Sequence, residues 1–573
     1  MLRTITQLVA LGLVPGTASA DVLRVNLNVS SPGNGSSWND AFDSLTDALA
    51  VATAADEIWV ARGSYVPDTP AGRDATFLIK DGVEVYGGFR GNENNRSERD
   101  PDSNITELNG AGTIYTIVTI ETGAGSGTIL DGFTVTKGLA DGTSIEQRTG
   151  AGIYGRDATP TISNVIVELC EAELGGSAIY LRGASGNFAT LADSRIRENL
   201  DDSAVRTHVP LVIDDCVFVD NETTALELWG DNIHSVTDTQ FSRNNSDPSI
   251  ACVVVSLDSS VSFSEFDDCE FILNDGHLSG GIYYLGRGDH EIRNTVMRSN
   301  AAILVAQSAG AVVTNLEQPT DSVTIENSLL IGNDGAGQGG AITKLGQESL
   351  IITGSTIVGN TSGAPTSGGI NSQSDGLSMR NTIIYDNFTT TNSIEERTQV
   401  FVPIGITATA DRCIIDHLGF GAGSNISAVN SSLANPEFVD ADGPDNIYGN
   451  IDDNVRLMPG SPAIDAGNSL YVGPFVTADI YNQPRFRDDT GTPDTGVADG
   501  TGIVVDIGAA EFQGTTPQDC LADVNNDGML TPTDFTAWIN AFNNNLPECD
   551  QNNDGSCTPT DYTAWIANFN AGC

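Results

Sequence analysis

The chain has 573 residues and a formal net charge of -50, with 26 lysine and arginine residues against 76 aspartates and glutamates. This length allows one large domain and one small one. The acidity argues against nucleic acid and anionic membranes as partners, because both bind basic surfaces. It fits either a solvated surface suited to a saline exterior or calcium handling. Beyond the N-terminus no apolar run reaches about 18 residues, so we predict no membrane span.

Residues 1–20 have the pattern of a secretory signal peptide. Arg3 gives a short positive region, residues 8–14 are mainly apolar, and Ala18-Ser19-Ala20 has the small residues of a cleavage site. We therefore predict a secreted protein, extracellular or at the cell surface, in which disulfides can form. A non-cleaved N-terminal strand is the alternative.

Residues 21–100 are predicted to form the N-terminal cap of the domain that follows. Residues 37–49 have apolar side chains at helical spacing, and Ser37 is a candidate N-cap. Residues 57–61 have the composition of a strand, followed by Gly63-Ser64-Tyr65. We expect the helix to lie across the first coil of the domain.

From about Asn164 to Asp416 the chain repeats a short pattern that ends on an asparagine. The repeat length runs from 22 residues (Asn199 to Asn221) to 33 (Asn300 to Asn333). The residue three before each asparagine is large and apolar, and the residue five before is small, so both face the same way on a strand. The anchors are Asn199, Asn221, Asn244, Asn274, Asn300, Asn333, Asn360 and Asn387.

This repeat favours a single-stranded parallel β-helix over residues 101–440. Propeller blades are longer, at about 40 residues, and the repeat has no helical period. Coils stacked about 4.8 Å apart would align the apolar positions as a core and the asparagines as a hydrogen-bonding ladder. A β-sandwich is the alternative. Cys216 and Cys269 occupy the small position two coils apart, which predicts buried thiols rather than a disulfide. The pairing of Cys170, Cys252 and Cys413 stays open.

Several motifs of the body resemble right-handed parallel β-helix proteins of the pectin-lyase-like superfamily. They are residues 37–65, 86–89, 130–135 and 152–154, with 435–440, 457–467 and 506–512 resembling the terminal segment of such proteins. The resemblance covers about residues 33–513. It implies a mainly β fold, a right-handed single-stranded parallel β-helix with an N-terminal capping helix, and a C-terminal cap segment at residues 441–513.

The activity of the body stays open between three functions. The first is to present a polar face to a polysaccharide, the second is to act as a polysaccharide lyase or glycoside hydrolase, and the third is to serve as a structural surface protein or adhesin. A lyase needs a base and a cation beside a uronate, and a hydrolase needs two carboxylates. The best local cluster is Asp275, His277, Asp289, His290 and Arg293, for which polar turn residues are the alternative.

Two further groups of acidic residues carry a weaker signal. The doublets Asp214-Asp215 and Asp267-Asp268 are discounted, because adjacent residues on a strand point to opposite faces. The stretch from Asp440 to Asp453 is rich in carboxylates but fits no defined calcium loop. A solvated turn and a metal site are both compatible with it.

The last 55 residues contain a duplicated calcium-loop motif, in residues 523–534 and 550–561. Each copy has oxygen ligands at positions 1, 3, 5, 7, 9 and 12 and a glycine at position 6 for the sharp turn. Two copies in register predict two calcium ions. The predicted ligands are Asp523, Asn525, Asp527, Met529, Thr531 and Asp534, and Asp550, Asn552, Asp554, Ser556, Thr558 and Asp561.

Each loop leads into a predicted helix. Thr531 can act as the N-cap, Pro532 suits the first helical position, and Asp534 completes a capping arrangement. The apolar side chains then share one face: Phe535, Trp538, Ile539 and Phe542 in the first copy, and Tyr562, Trp565, Ile566 and Phe569 in the second.

A domain of about 55 residues buries too little surface to be stable without further links. Its four cysteines allow three pairings, of which we favour Cys520–Cys573 and Cys549–Cys557. Zinc binding by these cysteines is the alternative, although an exported protein favours disulfides.

Residues 519–573 resemble dockerin repeats, and the cysteines with the Gly572-Cys573 ending resemble the cysteine-containing, GC-type dockerins. The resemblance implies that Pro532-Thr533 and Pro559-Thr560 contact a cohesin-like or other scaffold or surface protein. Because the two pairs are identical, binding in either orientation is implied. Residues 514–518 would be the linker. The sequence thus predicts a secreted calcium-binding β-helix protein, attached through a dockerin-like module and interacting with polysaccharide.

Overall fold

The structure is a computed structural model. It describes residues 20–67, 72–183, 186–245, 250–304, 307–390, 399–416, 426–514, 522–525, 531–544, 546, 549–552 and 556–571. The predicted signal peptide, apart from Ala20, lies outside the described residues.

Three long parallel sheets form the walls of a β-helix, and each coil adds a strand to each wall. Sheet 1 contains Val22–Val25, Glu57–Ala61, Glu84–Phe89, Ile129–Asp131, Thr161–Ser163, Ala189–Ala192, Leu211–Asp214, Ile233–Thr237, Phe263–Asp267, Asp289–Arg293, Ser322–Glu326, Ser349–Thr353, Leu377–Arg380, Ala408–Asp411 and Ile426–Val429. Sheet 2 contains Gly63–Tyr65, Thr106–Asn109, Thr134–Thr136, Ile166–Glu168, Arg195–Arg197, Val217–Val219, Gln240–Ser242, Glu270–Ile272, Val296–Arg298, Leu329–Ile331, Thr356–Val358, Ile383–Tyr385 and Ile414–Ile415.

The third wall and two small sheets complete the strands of the described residues. Sheet 3 contains Phe77–Ile79, Val118–Ile120, Leu139–Ala140, Ile153–Arg156, Glu171–Ala172, Ile179–Arg182, Leu200–Thr207, Glu222–Gly230, Ala251–Leu257, Ser279–Gly286, Val312–Leu316, Ile342–Lys344, Ile370–Ser372 and Val400–Phe401. A short parallel sheet contains Asp275–Gly276, Ala301–Ala302, Asp334–Gly335, Thr361–Ser362 and Phe388–Thr389. Phe438–Asp440 and Asn454–Leu457 form an antiparallel pair.

Single residues in the left-handed region make the two corners that flank sheet 2. The first corner lies six residues before each anchor asparagine, where φ is 46° to 54°, and the second lies one residue before it, where φ is 51° to 65°. The first corner consists of Asp193, Asp215, Asp238, Asp268, Asn294, Asn327, Gly354 and Asn381. These are the residue types that tolerate a positive φ, so the sequence allows the chain to turn sharply in every coil.

The asparagine ladder is confirmed. The Asn199 amide donates to the Asn221 side-chain oxygen at 3.0 Å, and the same contact repeats from coil to coil. The ladder ends where Asn387 donates to Gln399 at 2.7 Å. All eight anchors are fully buried, and their bonds satisfy polar groups that would otherwise be costly inside the core.

The apolar residue of each repeat faces inward, as predicted. Phe218, Phe241 and Phe271 stack with ring centroids 4.8 and 4.7 Å apart, and the apolar column merges into one continuous core. Cys216 and Cys269 are buried free thiols in the small column. Burial raises the pKa of Cys216 to about 12, so it is an inert core residue at neutral pH.

The N-terminal helix is shorter than predicted. Ser37 caps only a 3-10 turn, Trp38–Asp40, and the α-helix, α1, runs over Leu45–Val51 with Ser44 as its N-cap. The reason is that Phe42 forms two backbone hydrogen bonds with strand Val22–Val25 and the residue after it. Its amide donates to the carbonyl of Arg24 at 2.9 Å, and its carbonyl accepts from the amide of Asn26 at 2.8 Å. This extended pairing precludes a helix that is continuous from Ser37. Further 3-10 turns are Gly72–Asp74, Arg96–Glu98, Glu146–Arg148 and Ser469–Tyr471.

The segment after the last coil folds back along the corner between sheets 1 and 2. Asn381 exchanges side-chain hydrogen bonds with the backbone of Asn468 at 2.9 and 2.8 Å. The Asn327 amide donates to the carbonyl of Ala478 at 2.9 Å. The contacts therefore run along the side of several coils, which is a wider role than closing one end.

A buried charged cluster organises this segment. Arg485 lies 3.3 Å from Glu511 and donates to the carbonyl of Asp506 at 3.1 Å. The Asp479 side chain accepts from the backbone of Glu511 at 2.9 Å. These residues come from the motif at 506–512 and from the loop before it. The backbone amide of Asp465, in the motif at 457–467, donates to the Asp506 side chain at 2.8 Å, so the two motifs meet here. Burial is tolerated here because the charges are paired and hydrogen-bonded.

Candidate functional site

The last ligand position of each predicted calcium loop is a buried carboxylate that faces the start of its loop. Asp534 accepts from the backbone of Asn525 at 3.4 Å and of Thr531 at 2.8 Å. In the second copy Asp561 accepts from Asn552 at 3.2 Å and from Thr558 at 2.7 Å. Both aspartates are completely buried. Position 12 therefore lies beside position 3, and these oxygen donors suit a hard cation such as calcium.

The predicted caps form at both helices. The Thr533 backbone donates to the Thr531 hydroxyl at 3.3 Å while Asp534 accepts from the Thr531 backbone, which is a capping arrangement. The helices are α2, Pro532–Asn544, and α3, Pro559–Ala571. Of the predicted ligands, Asp527, Met529 and Asp554 lie outside the described residues. The side chain of Pro532, a predicted partner-binding residue, also lies outside the described part of the chain.

A disulfide joins Cys549 and Cys557, with Cα atoms 5.5 Å apart. It links the residue before the second loop to a residue inside that loop, and so it restrains the first part of the loop. The predicted partners Cys520 and Cys573 lie outside the described residues, so that bridge stays a prediction.

Each tryptophan binds the loop of the other repeat. Trp538 in α2 donates to the carbonyl of Cys549, which precedes the second loop, at 3.2 Å. Trp565 in α3 donates to the carbonyl of Ala522, which precedes the first loop, at 3.0 Å. Both indoles are buried in one cluster. The two repeats are therefore related by an approximate two-fold arrangement of the same contacts.

Two residues of the predicted helical core, Ile539 and Ile566, face outward instead and are 40% and 38% exposed. Tyr562 is 42% exposed, but its ring still packs against Phe535 and Trp538. The tryptophans fill the centre between the helices, so the residue after each tryptophan is turned away from it. Thr533 and Thr560 are also exposed, and the two copies thus present the same residues, Thr and Ile, on an outer face.

The body has an open groove of about 560 Å³ along the corner between sheets 1 and 2. Residues 101–106 form one wall, and the strands starting at Thr134, Ile166, Arg195 and Val217 form the floor. Arg197 is held by Glu168 at 2.5 Å. Arg195 is exposed and forms no ion pair with any described residue. The groove thus offers one uncompensated guanidinium in a strongly acidic protein.

A ladder of exposed aspartates begins in this groove. Asp193, Asp215, Asp238 and Asp268 occupy the first corner in four successive coils, which places neighbours about 4.8 Å apart. Burial and the charges of Asp214 and Asp215 raise the pKa of Asp238. Polar hydroxyl-rich ligands can hydrogen-bond to such a row of carboxylates.

The ladder departs from the prediction, in which both residues of each aspartate doublet lie on a strand. Asp214 is on the strand, but Asp215 has a φ of 48° and lies in the corner. The alternation of faces therefore does not apply to the pair. The signal was present, since the residue six before each anchor is Asp, Asn or Gly in all eight repeats.

The structure does not bring the five candidate catalytic residues together. Asp275 is in the short sheet, with His277 just after it, whereas Asp289, His290 and Arg293 belong to sheet 1. Asp289 is exposed, but His290 is fully buried, 2.8 Å from the Ser264 hydroxyl.

Arg293 is occupied by an ion pair. It lies 3.0 Å from Asp267 and is also covered by Phe475 of the returning segment, with 5.4 Å to the ring centroid. The proposed cluster is therefore wrong as a catalytic group, since one member faces the core and another is neutralised.

The acidic stretch from Asp440 to Asp453 forms turns that satisfy its own side chains. Asn450 donates to Asp445 at 3.0 Å, and Asp453 accepts from the backbone of Gly449 at 2.6 Å. Among the described residues, the one place where three carboxylates converge for a metal ion is elsewhere, at Asp465, Asp488 and Asp494.

Comparison with known families defines the class of protein. Residues 177–344 match the family described as right handed beta helix region, and residues 28–222 match one described as protein of unknown function (DUF1565). Residues 521–570 match the dockerin type I domain. The chain is a right-handed parallel β-helix protein with a C-terminal dockerin domain.

Solved structures with a related shape include two carbohydrate-active proteins. The pectate lyase Pel9A is 12% identical, with a TM-score of 0.41 over 87% of this chain and 98% of that one. The A-module of the mannuronan C-5 epimerase AlgE4 of Azotobacter vinelandii is also 12% identical, with a TM-score of 0.27 over 68% of this chain and 91% of that one. The search of curated proteins returned no match. Within the described part of the chain, no helix has the length and apolar character to span a bilayer.

Proposed function

We propose that this protein is secreted and is held through its dockerin domain on a cohesin-bearing scaffold, in a calcium-dependent manner, where its groove binds a polysaccharide. The observation that carries the attachment is the pair of buried carboxylates, Asp534 and Asp561, each beside position 3 of its own loop. Two equivalent loops in one small domain are typical of a module that calcium holds in shape.

Calcium would act here by neutralising the carboxylates of each loop. Asp523, Asn525 and Thr531 with Asp534, and Asp550, Asn552, Ser556 and Thr558 with Asp561, would hold the ions. The chain itself positions these groups through the caps at Thr531 and Thr558 and the two cross-bonds from Trp538 and Trp565. Calcium binding and folding of the module are then linked.

The test is binding of the full chain to immobilised cohesin modules in calcium and in EGTA. We expect binding in calcium alone, and loss of it in the double variant Asp534→Ala/Asp561→Ala. A control variant, Asp231→Ala/Asp258→Ala, makes the same charge change at two exposed positions of the body. Binding that persists in EGTA, or that no cohesin supports, would contradict the attachment.

The exposed groove supports the polysaccharide part of the proposal. Arg195 can pair with the carboxylate of a uronate, since it has no ion-pair partner among the described side chains and a guanidinium binds a carboxylate in two parallel hydrogen bonds. The aspartate ladder can accept hydrogen bonds from sugar hydroxyls. A row of such groups, one per coil, matches a linear polymer better than a compact ligand.

The matching experiment offers the full chain a panel of uronate-containing and neutral polysaccharides with calcium. We expect retention of a uronate polymer, weakened in Arg195→Ala and unchanged in Arg243→Ala, an exposed arginine of the body that pairs with Asp220. Ultraviolet-absorbing unsaturated products would identify a lyase, and reducing ends without them a hydrolase. If no glycan binds, the groove proposal fails and a structural or adhesin role is favoured.

A further inference from the structure

Three carboxylates from distant parts of the returning segment converge in the body. One oxygen from each of Asp465, Asp488 and Asp494 lies within 4.8 Å of the others. Two ligands that are each about 2.4 Å from one calcium ion can be at most about 4.8 Å apart. The separation is therefore the one that a shared ion permits, and this group is remote in sequence from the dockerin loops.

The central member of this group lacks hydrogen bonds that a buried carboxylate requires. Asp465 is completely buried, and neither of its side-chain oxygens has a hydrogen-bond partner. The backbone amide of Asp489 faces it but does not reach hydrogen-bond geometry. An ionised carboxylate without a partner is strongly unfavourable inside a protein, so it is retained only where a cation or hydrogen bonds compensate it.

No arginine or lysine of the described chain forms an ion pair with these carboxylates. Arg412 lies beside the group but donates to the carbonyls of Ala466 and Thr495 at 3.1 and 2.9 Å. The two arginines nearest in sequence are engaged elsewhere: Arg485 pairs with Glu511, and Arg487 donates to Gln513 at 3.3 Å. Asp488 and Asp494 are exposed, so the group opens to solvent on one side while Asp465 forms its buried floor. A solvent cation therefore has access.

The backbone holds the group in place independently of any ion. The carbonyl of Asp465 accepts hydrogen bonds from the backbone of Thr495 at 2.9 Å and of Gly496 at 3.0 Å. The backbone amide of Asp465 donates to Asp506 at 2.8 Å. Thus the turn at Asp465 and the loop that carries Asp488 and Asp494 are fixed to each other, and their carboxylates are preorganised.

We propose that Asp465, Asp488 and Asp494 bind a divalent cation, with calcium the preferred ion. Three carboxylates without nitrogen or sulfur donors suit a hard cation, and the partly open side leaves room for the waters or carbonyl oxygens that complete a coordination number of 6 to 8. The ion ties the loop at 488–494 to the segment that covers the side of the β-helix. Its role is structural, and it is independent of the dockerin loops.

The experiment counts calcium ions bound by the full chain in equilibrium dialysis. Its background is Asp534→Ala/Asp561→Ala, in which the dockerin loops are disabled. We expect one remaining ion in that background and none after adding Asp488→Asn/Asp494→Asn. The control adds Asp231→Asn/Asp258→Asn instead, an equal charge change at exposed positions, and keeps the ion. A failure of dockerin binding to calcium would not affect this count.

A second measurement separates ion binding from a general effect on folding. Without calcium, Asp465→Asn should melt at the same temperature as the parent or higher, because a buried uncompensated charge is removed. In calcium the order should reverse, because the parent alone gains the ion. An unchanged count after Asp488→Asn/Asp494→Asn, or no reversal for Asp465→Asn, would overturn the proposal.

Discussion

The indole nitrogen of Trp538 lies 3.2 Å from the backbone carbonyl of Cys549, and this bond joins the helix of the first repeat to the loop of the second. The reciprocal bond, from Trp565 to Ala522, closes the pair at 3.0 Å. The two calcium loops are therefore linked by a reciprocal pair of hydrogen bonds from buried indoles, in addition to the chain itself.

Replacing either tryptophan by phenylalanine should loosen both loops. Trp538→Phe keeps most of the apolar contact but leaves the carbonyl of Cys549 without its buried donor, which costs about 1 to 3 kcal/mol. We expect faster amide hydrogen exchange in α3 as well as in α2, and a weaker response to calcium. Ile539→Ala, at a position that is 40% exposed, is the control and should leave exchange nearly unchanged.

The two outer faces of the dockerin domain should be interchangeable. A bulky charged residue at one site, as in Thr533→Arg or Thr560→Arg, removes one of two equivalent orientations and should lower cohesin affinity by about two-fold, or about 0.4 kcal/mol. The double variant should lose binding by a far larger factor. Calorimetric titration measures both. A large loss from one single variant would show that only one orientation is used.

The asparagine ladder should be the most sensitive polar feature of the body. In Asn274→Ala the amides of Asn244 lose their acceptor and the Phe241 carbonyl loses its side-chain donor, while Asn300 keeps only the backbone donor of residue 274. Because all these groups are buried, we expect a loss of at least about 2 kcal/mol in the free energy of unfolding. Thermal melting at a fixed scan rate measures it. Asn92→Ala, at an exposed turn, should melt like the parent.

The contribution of His234 to the stability of the body should fall as the pH drops below about 6.5. Burial, and to a lesser extent His290, lowers the pKa of His234 to about 3. An unfolded histidine has a pKa near 6.5, so between these values only the unfolded state takes up the proton. The free energy of unfolding therefore decreases with acidification, by about 2 kcal/mol for this residue at pH 5.

His234→Leu tests this pH dependence directly. Neither ring nitrogen of His234 has a hydrogen-bond partner, and the residue at the same position of the preceding coil is Leu211. The variant should therefore melt at least as high as the parent at pH 7 and lose less stability between pH 7 and 5. His277→Gln, which alters a half-buried histidine, is the control. Equal slopes in the parent and His234→Leu would contradict the assignment.

The repeat itself could be predicted from the sequence because each repeat position has the same structural role in every coil. The anchor asparagines, the apolar residue three before and the small residue five before all fall where their spacing indicated. The same repeat also indicates that His290, one of the candidate catalytic residues, is a core residue. It lies ten residues before its anchor asparagine, at the position that Leu211, Val323 and Leu350 occupy in other coils.

The carboxylate groups could not be predicted in this way, because they depend on contacts between distant segments. Asp465 and Asp494 are brought together by a turn, a loop and the cluster around Arg485, none of which repeats. Likewise the capping helix has its N-cap at Ser44, and not earlier, because Phe42 pairs with a strand at the N-terminus. The sequence pattern of the repeat thus predicts the features that recur in each coil of the β-helix. Features that occur once, such as the carboxylate group and the capping helix, depend on tertiary contacts.

The returning segment also determines where the chain leaves the β-helix. The backbone of Gly508 donates to Asn381 at 2.8 Å, and that of Ala509 donates to the Thr356 hydroxyl at 3.0 Å, so the chain leaves the β-helix from its flank shortly before the dockerin domain. The strand at Thr356 is five coils beyond the one at Val217, which is about 24 Å. In the proposed attachment the tether would therefore start on the flank of the β-helix, five coils from the nearest strand of the groove.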